Sequence, residues 1–200
     1  MKYTHISART LVATLITFGL LAERANASVL VNITQVGGNV VASFNGTVDL
    51  TELTHQNLSE PVPAAFSYGI QPDAATFGIG GSSEFDPYGA ATNAGPAFLG
   101  SGETLIAPDS SNGDFFGNGG SSFEYDVWVP SGYVSGTLIS GSSTWIGQTI
   151  ASLGLTSGSY NYTWANDSMT VNIAVPEPSS ALPFGLAALG LIVARRRRSN

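Results

Sequence analysis

Residues 28–44 read SVLVNITQVGGNVVASF and contain the clearest structural signal in the chain. Apolar and polar side chains alternate on both sides of Gly37-Gly38-Asn39. The apolar positions are Val29, Val31 and Ile33 before the glycines and Val40, Ala42 and Phe44 after them. A period of two is typical of a strand that buries one face. Two such strands joined at a glycine pair predict a β-hairpin.

Similar patterns follow towards the C-terminus and predict an all-β fold. Further strands are expected at 47–50, 123–129, 133–139, 143–150, 159–165 and 169–175, with turns at Asn45-Gly46, Pro130-Ser131-Gly132 and Asn166-Asp167. The segment 61–118 is rich in glycine and proline, and we expect long loops with short strands there. Many short strands separated by turns indicate an antiparallel β-sandwich or jelly roll.

Charge is distributed very unevenly along the chain. All seven Lys and Arg residues lie outside residues 28–174, whereas that region contains twelve acidic residues and has a formal charge of −12. Nucleic-acid binding depends on Lys and Arg contacts to phosphate, so we expect no nucleic-acid partner. The chain has no cysteine, which excludes disulfides, thiol catalysis and thiolate metal sites.

The N-terminal residues 1–27 have the three parts of a secretory signal peptide. Lys2 and Arg9 form a basic start, 11–22 is an apolar run, and Ala25 and Ala27 supply the small-x-small pattern that signal peptidase accepts. The sequence therefore predicts export, with cleavage after Ala27.

The C-terminal residues 175–200 combine three features in order. A polar motif comes first, an apolar run at 181–194 follows, and four basic residues come after it. The motif consists of Val175, Pro176, Glu177, Pro178 and Ser179. The basic cluster consists of Arg195, Arg196, Arg197 and Arg198. Two prolines around one residue favour an extended backbone, a shape that a processing enzyme can grip.

The apolar run is expected to form a short transmembrane helix. Its 14 residues correspond to about 21 Å of helix, against a hydrocarbon core of about 30 Å. Each arginine costs roughly 2.5 to 3.5 kcal/mol at the bilayer centre, so the cluster should stay in the cytoplasm. The sequence thus predicts a precursor held in the inner membrane, with residues 28–174 as a periplasmic domain.

This C-terminal arrangement resembles the PEP-CTERM sorting signal of Gram-negative bacteria. The resemblance covers residues 175–200 and implies recognition by the membrane protease-transpeptidase exosortase. It further implies that the tail is removed or transferred near Pro176-Glu177-Pro178, and that the domain reaches the cell surface or the exopolysaccharide matrix. It implies no activity for the domain itself. The alternative interpretation of the tail is an ordinary membrane anchor that is never cut.

Residues suited to catalysis or metal binding are scarce in the domain. His55 is its only histidine and lies in no catalytic motif, which favours a surface histidine. Two carboxylate pairs, Glu84 with Asp86 and Glu124 with Asp126, have the spacing that places both side chains on one face of a strand. The acidic stretch 109–114 lacks the EF-hand pattern and is expected to be a turn. We predict no catalytic residue, metal or cofactor.

The sequence therefore indicates a non-enzymatic surface or matrix protein. One alternative is a lectin-like module that binds exopolysaccharide, with or without calcium. A less favoured alternative is a glycan-processing enzyme that uses two carboxylates. The positions of Trp128, Trp145 and Trp164 bear on the lectin alternative, because sugar-stacking aromatics must be exposed, and we expect these three to be core or sheet residues.

Overall fold

A computed structural model of the protein describes residues 28–56, 68–81, 84–90, 93–119, 127–164 and 167–174. Within these ranges the chain forms thirteen strands and one 3₁₀ turn, Pro72–Ala74. The strands are β1 (Ser28–Val36), β2 (Asn39–Thr47), β3 (Leu53–His55), β4 (Gly69–Gln71), β5 (Thr76–Gly80), β6 (Phe85–Ala90), β7 (Asn93–Ala94), β8 (Ser110–Gly113), β9 (Phe115–Asn118), β10 (Val127–Pro130), β11 (Leu138–Trp145), β12 (Gly158–Trp164) and β13 (Asp167–Ala174).

The strands form two sheets, and the all-β prediction is confirmed. Sheet A has seven strands in the order β7-β12-β13-β1-β2-β11-β8. Sheet B has six strands in the order β3-β6-β10-β9-β5-β4. No helix among the described residues is both long and apolar enough to cross a bilayer. The predicted signal peptide and the predicted C-terminal transmembrane helix lie outside the described residues.

The hairpin predicted from the glycine pair is confirmed as β1 and β2. Val36 pairs with Asn39, which leaves Gly37 and Gly38 as a two-residue turn. Gly37 has a φ of +61°, a conformation that glycine adopts without steric cost. The apolar positions of both strands point into the core, as the alternation predicted.

One strand pair differs from the predicted antiparallel arrangement. β1 pairs with β13 in parallel, from Ser28 opposite Ser168 to Thr34 opposite Ala174. Every other ladder in the two sheets is antiparallel. Since the alternation of side chains is the same in parallel and antiparallel strands, this pairing left no trace in the sequence.

The two sheets contribute to one hydrophobic core. Phe44 of sheet A and Phe116 of sheet B meet with their ring centroids 5.5 Å apart. The chain passes directly from one sheet to the other at Asp114, between β8 and β9. A Cβ atom added to Gly141 would lie 2.4 Å from the Asp114 carbonyl oxygen, so this crossing requires glycine in the neighbouring strand.

The expectation of long loops with short strands across 61–118 is confirmed in part: the described strands there have two to six residues, and 95–109 contains no strand, but the short strands build much more of the fold than expected. β4 to β9 lie there, and four of these six strands belong to sheet B. All residues of β5 and of β9 are buried, so neither strand shows the alternation of a half-exposed strand. The glycines that suggested loops instead allow close approach; a Cβ on Gly117 would lie 2.6 Å from the Phe77 carbonyl oxygen.

The turn predicted at Asn45-Gly46 is also wrong, because both residues lie inside β2. Asn45 pairs with Leu30 on one side and with Ser140 on the other. A Cβ on Gly46 would lie 2.1 Å from the Ser28 carbonyl oxygen. The glycine is therefore explained by crowding between β1 and β2, and not by a reversal of the chain. The strand predicted at 47–50 is likewise wrong beyond Thr47.

Two further strand boundaries differ from the prediction. The strands predicted separately at 133–139 and 143–150 are one strand, β11, which begins at Leu138 and ends at Trp145. Residues 133–137 are turns held by Tyr133, whose hydroxyl donates to the Thr137 carbonyl at 2.7 Å and accepts from the Val48 N–H at 2.9 Å. The turn predicted at Pro130-Ser131-Gly132 is confirmed by the bond from the Tyr133 N–H to the Pro130 carbonyl.

Candidate functional site

The point at which the tail leaves the domain is defined by the pairing of β1 with β13. β13 ends at Ala174, opposite Thr34, whereas β1 begins at Ser28, opposite Ser168. Six residues separate these positions along the strands, or about 20 Å at 3.3 Å per residue. Ser28 and Ala174, the first and last described residues, therefore lie at opposite ends of sheet A.

We call the end of sheet A that contains Ala174, the Gly37-Gly38 turn and the Ile146-Gly147 turn the tail-proximal end. The opposite end, which contains Ser28, residues 133–138 and Asp167, is the distal end. The sorting-motif residues Val175 to Ser179 and the cluster Arg195 to Arg198 lie outside the described residues, as do Ala25 and Ala27.

The outer face of sheet A presents short uncharged polar side chains. One row crosses six adjacent strands, and its members are paired in register. We call it the polar row; it consists of Ser159, Asn172, Asn32, Ser43, Ser142 and Asn112. Each of these side chains is exposed or half-buried. The row offers hydroxyl and amide groups without charge, a composition suited to hydrogen bonding with a neutral, hydroxyl-rich polymer.

Neighbouring side chains in the polar row are joined by hydrogen bonds. The Asn172 amide donates to Asn32 Oδ1 at 3.3 Å, and the Ser142 hydroxyl donates to Asn112 Oδ1 at 3.3 Å. On the same face Thr170 donates to Asn161 Oδ1 at 2.9 Å. Short side chains that hold one another in this way lose little further freedom when a ligand binds.

The pair Glu84 and Asp86 does not form a cation site in the described structure. Asp86 accepts from the Gly132 N–H at 2.8 Å and from the Ser131 hydroxyl at 3.1 Å, so it holds the turn after β10. Glu84 is exposed, and its backbone carbonyl accepts from the Ser131 N–H. The second pair, Glu124 and Asp126, lies outside the described residues.

The acidic stretch 109–114 is a strand with a carboxylate at each end, and not the turn that was expected. Asp109 Oδ2 accepts from the Ile146 N–H at 2.7 Å, and Asp114 Oδ2 accepts from the Ser140 N–H at 3.0 Å. Both side chains thus fasten β8 to the backbone next to it. In the ranges that the structure describes, no group of three or more His, Asp or Glu side chains is arranged to hold a metal ion.

A buried carboxylate that the sequence analysis missed lies at the distal end. Asp167 accepts from the Asp49 N–H at 2.7 Å and from the Ser168 N–H at 2.6 Å. Burial raises its pKa to about 6; the two N–H donors oppose this shift and the Asp49 carboxylate adds to it. The sequence signal was only a predicted turn at Asn166-Asp167, which gave no indication that the side chain is buried.

The histidine and the tryptophans have structural positions. His55 is exposed and meets the Tyr88 ring edge-on, with ring centroids 5.0 Å apart. Trp128, Trp145 and Trp164 are all buried, as the sequence analysis expected. Trp145 also donates from Nε1 to the Ile106 carbonyl at 3.0 Å. None of these three tryptophans is placed to stack on a sugar at the surface.

Comparison with known protein families gives a match over the C-terminal part of the chain. Residues 174–198 match the PEP-CTERM protein-sorting motif. No curated protein and no solved structure matches the chain. The chain therefore carries a PEP-CTERM sorting motif, as the resemblance indicated. The motif implies export, a membrane-anchored precursor, processing by exosortase and display at the cell surface.

Proposed function

We propose that this PEP-CTERM protein delivers a non-catalytic β domain to the cell surface or to the exopolysaccharide matrix, where the domain has a structural or adhesive role. The observation that carries the proposal is the position of the motif. It begins at residue 174, which is also the last residue of β13. The folded domain is thus joined to its sorting signal without an intervening segment, as expected of a domain that is the cargo of the signal.

The proposed route has three steps. Signal peptidase cleaves after Ala27, and the domain enters the periplasm. The apolar run 181–194 then holds the precursor in the inner membrane, with Arg195 to Arg198 in the cytoplasm. Exosortase finally acts at Pro176-Glu177-Pro178 and releases or transfers the domain. We assign the domain itself to the β-sandwich class, because sheets A and B share one core.

We also propose that the domain is not an enzyme. This proposal is supported by the hydrogen bonds that its aspartate side chains make to the backbone. Asp86, Asp109, Asp114 and Asp167 each accept hydrogen bonds from backbone N–H groups. A glycosidase needs two carboxyl groups that face a substrate across a cleft. Carboxylates committed to the backbone are poorly available for that task.

The experiment that tests the proposal is intact-mass measurement and cell fractionation of the native protein, with and without exosortase. With exosortase, we expect a domain that lacks the tail in the surface or extracellular fraction. Without exosortase, we expect the full tail in the inner-membrane fraction. A double substitution, Glu177→Ala with Pro178→Ala, should reproduce the second result in the presence of exosortase, whereas Ser199→Ala should not. Identical mass and location in both strains would contradict the proposal.

A second candidate function is binding of a neutral polysaccharide, and the polar row favours it. The row lies on a face whose described strand residues carry no charged side chain directed outward. Binding would therefore depend on hydrogen bonds and not on stacking or on calcium. Co-sedimentation with insoluble neutral polysaccharides tests this function. Ser43→Lys, in the centre of the row, should abolish binding. The control Thr54→Lys, on the edge strand β3 of sheet B, should leave binding unchanged.

A further inference from the structure

The tail-proximal end of sheet A exposes two large apolar side chains. Val36 is 58% exposed at the end of β1, and Ile146 is 61% exposed just after β11. Asn39 lies between them: it pairs with Val36, and its Oδ1 accepts from the Gly147 N–H at 3.0 Å. With strands about 4.8 Å apart, the two apolar residues lie about 10 Å from each other on one edge of the domain.

The length of the connection limits how far this edge can lie from the membrane. The apolar run begins at residue 181, so six residues, 175–180, separate Ala174 from it. Six residues span at most about 20 Å when fully extended. The distal end lies about 20 Å from Ala174 along β13, so it can reach the bilayer only when the connection is fully extended, whereas the tail-proximal end reaches it at any extension.

We propose that, in the tethered precursor, the tail-proximal end rests on the bilayer surface, with Val36 and Ile146 in contact with phospholipid. The proposal depends on the proposed function, because the tail must first be held in the membrane. Apolar side chains that leave water for the lipid interface stabilise this contact, and the side-chain-free Gly37-Gly38 turn allows close approach.

The charge near this edge selects the type of lipid. Asp109 accepts from the Ile146 N–H, so a carboxylate lies next to one of the two contact residues. A negatively charged headgroup would be repelled by it, and by the domain as a whole. The occupant is therefore a zwitterionic phospholipid surface.

The test uses the full chain, expressed in a host without exosortase and reconstituted into zwitterionic vesicles. Since the chain has no cysteine, single substitutions give one labelling site each. Val36→Cys and Ile146→Cys probe the tail-proximal end, and Val134→Cys and Leu138→Cys probe equally exposed apolar positions at the distal end. Each variant carries a fluorophore, and the vesicles contain a phospholipid with a nitroxide on its headgroup. Circular dichroism identifies any variant that fails to fold. The other cysteine variant at the same end of the domain then reports for that end.

We expect the probes at 36 and 146 to lose most of their fluorescence to the nitroxide lipid, and those at 134 and 138 to keep theirs. Vesicles without nitroxide supply the reference intensity. Equal quenching at both ends, or stronger quenching at the distal end, would overturn the proposed orientation while leaving membrane tethering intact. Failure of the protein to float with the vesicles would instead overturn both the tethering and the contact that depends on it.

Discussion

The backbone N–H of Asp49 lies 2.7 Å from Oδ2 of Asp167, so the segment that follows β2 is bonded to the first residue of β13. The Ser168 N–H reaches the other oxygen of the same carboxylate at 2.6 Å. Asp167 is only 6% exposed, and burial outweighs the two donors in setting its pKa. The carboxylate therefore connects two strand ends and also makes the stability of the domain depend on pH.

Acidification should stabilise the domain through Asp167. Its pKa is about 6 in the folded state and about 3.9 in the unfolded chain, so the folded state binds its proton more tightly. The stabilising contribution is fully present below about pH 4 and is lost as the pH rises through 6. Between pH 7.5 and pH 5, this group should raise the free energy of unfolding by on the order of 1 kcal/mol.

Urea unfolding at the two pH values measures this effect. Asp167→Asn should show a smaller rise than the wild-type protein. The exposed Asp73→Asn serves as the control for the loss of one negative charge from an acidic domain. Equal rises in the wild-type and Asp167→Asn proteins would contradict the role assigned to the buried carboxylate.

Truncation of Phe44 should destabilise the domain strongly. Its ring meets Phe116 across the two sheets, and both side chains belong to the shared core. Phe44→Ala should lower the free energy of unfolding by about 3 to 5 kcal/mol, because it removes buried apolar surface and leaves a cavity. Phe98→Ala is the matched control, since Phe98 is 62% exposed and its loss should cost less than about 0.5 kcal/mol. Similar costs for the two variants in denaturant unfolding would argue against the shared core.

The sequence predicted sheet A much better than sheet B. β1, β2, β12 and β13 bury one face and leave the other in water, so their alternation is visible in the residues. β5 and β9 are buried throughout, so they show no alternation, and their glycines look like loop signals in the sequence. At Gly46 and Gly117 neighbouring backbone atoms leave no room for a side chain. In a sequence, such a glycine cannot be distinguished from one that is required by a turn.

Of the candidate functional features, only the sorting signal could be predicted from the sequence, because its residues are contiguous in the chain. The sorting signal follows from the order of its residues and needs no fold. The polar row could not be predicted, because Asn32 and Asn112 are brought onto one line by strand pairing across four strands. The tail-proximal end likewise depends on the parallel pairing of β1 with β13, which alternation alone does not specify.

Removal of the Tyr133 hydroxyl should loosen the distal end. That oxygen accepts from the Val48 N–H and donates to the Thr137 carbonyl. Tyr133→Phe leaves this partly buried N–H without its partner, and the expected cost is about 1 to 2 kcal/mol. Tyr160→Phe is the matched control, since its hydroxyl donates a single exposed bond to the Thr156 carbonyl. Thermal unfolding should separate the two variants, and a larger effect at Tyr160 would contradict the role assigned to Tyr133.

Gly141 should not tolerate a side chain. A Cβ there would lie 2.4 Å from the Asp114 carbonyl oxygen and 2.7 Å from Cε1 of Phe44. Because one neighbour is backbone at the crossing between the sheets, Gly141→Ala should destabilise the domain by about 3 kcal/mol, the upper end of the usual cost of overpacking. Gly38→Ala introduces the same methyl group where nothing lies within 4 Å, and it should unfold close to the wild-type midpoint. A stable Gly141→Ala protein would mean that the two sheets are less closely joined at Asp114.

The four arginines at 195–198 should be what holds the precursor in the membrane. The apolar run is about 9 Å shorter than the hydrocarbon core, so it is a marginal anchor by itself. Four arginines together oppose passage through the bilayer by on the order of 10 kcal/mol. Replacing Arg195 to Arg198 with serine removes this barrier, and in cells without exosortase the protein should move from the membrane pellet to the periplasmic extract. Replacing them with lysine keeps the charge and should keep the protein in the membrane. A serine variant that stays in the membrane would show that the apolar run is sufficient as an anchor, and that charge is not what holds the precursor.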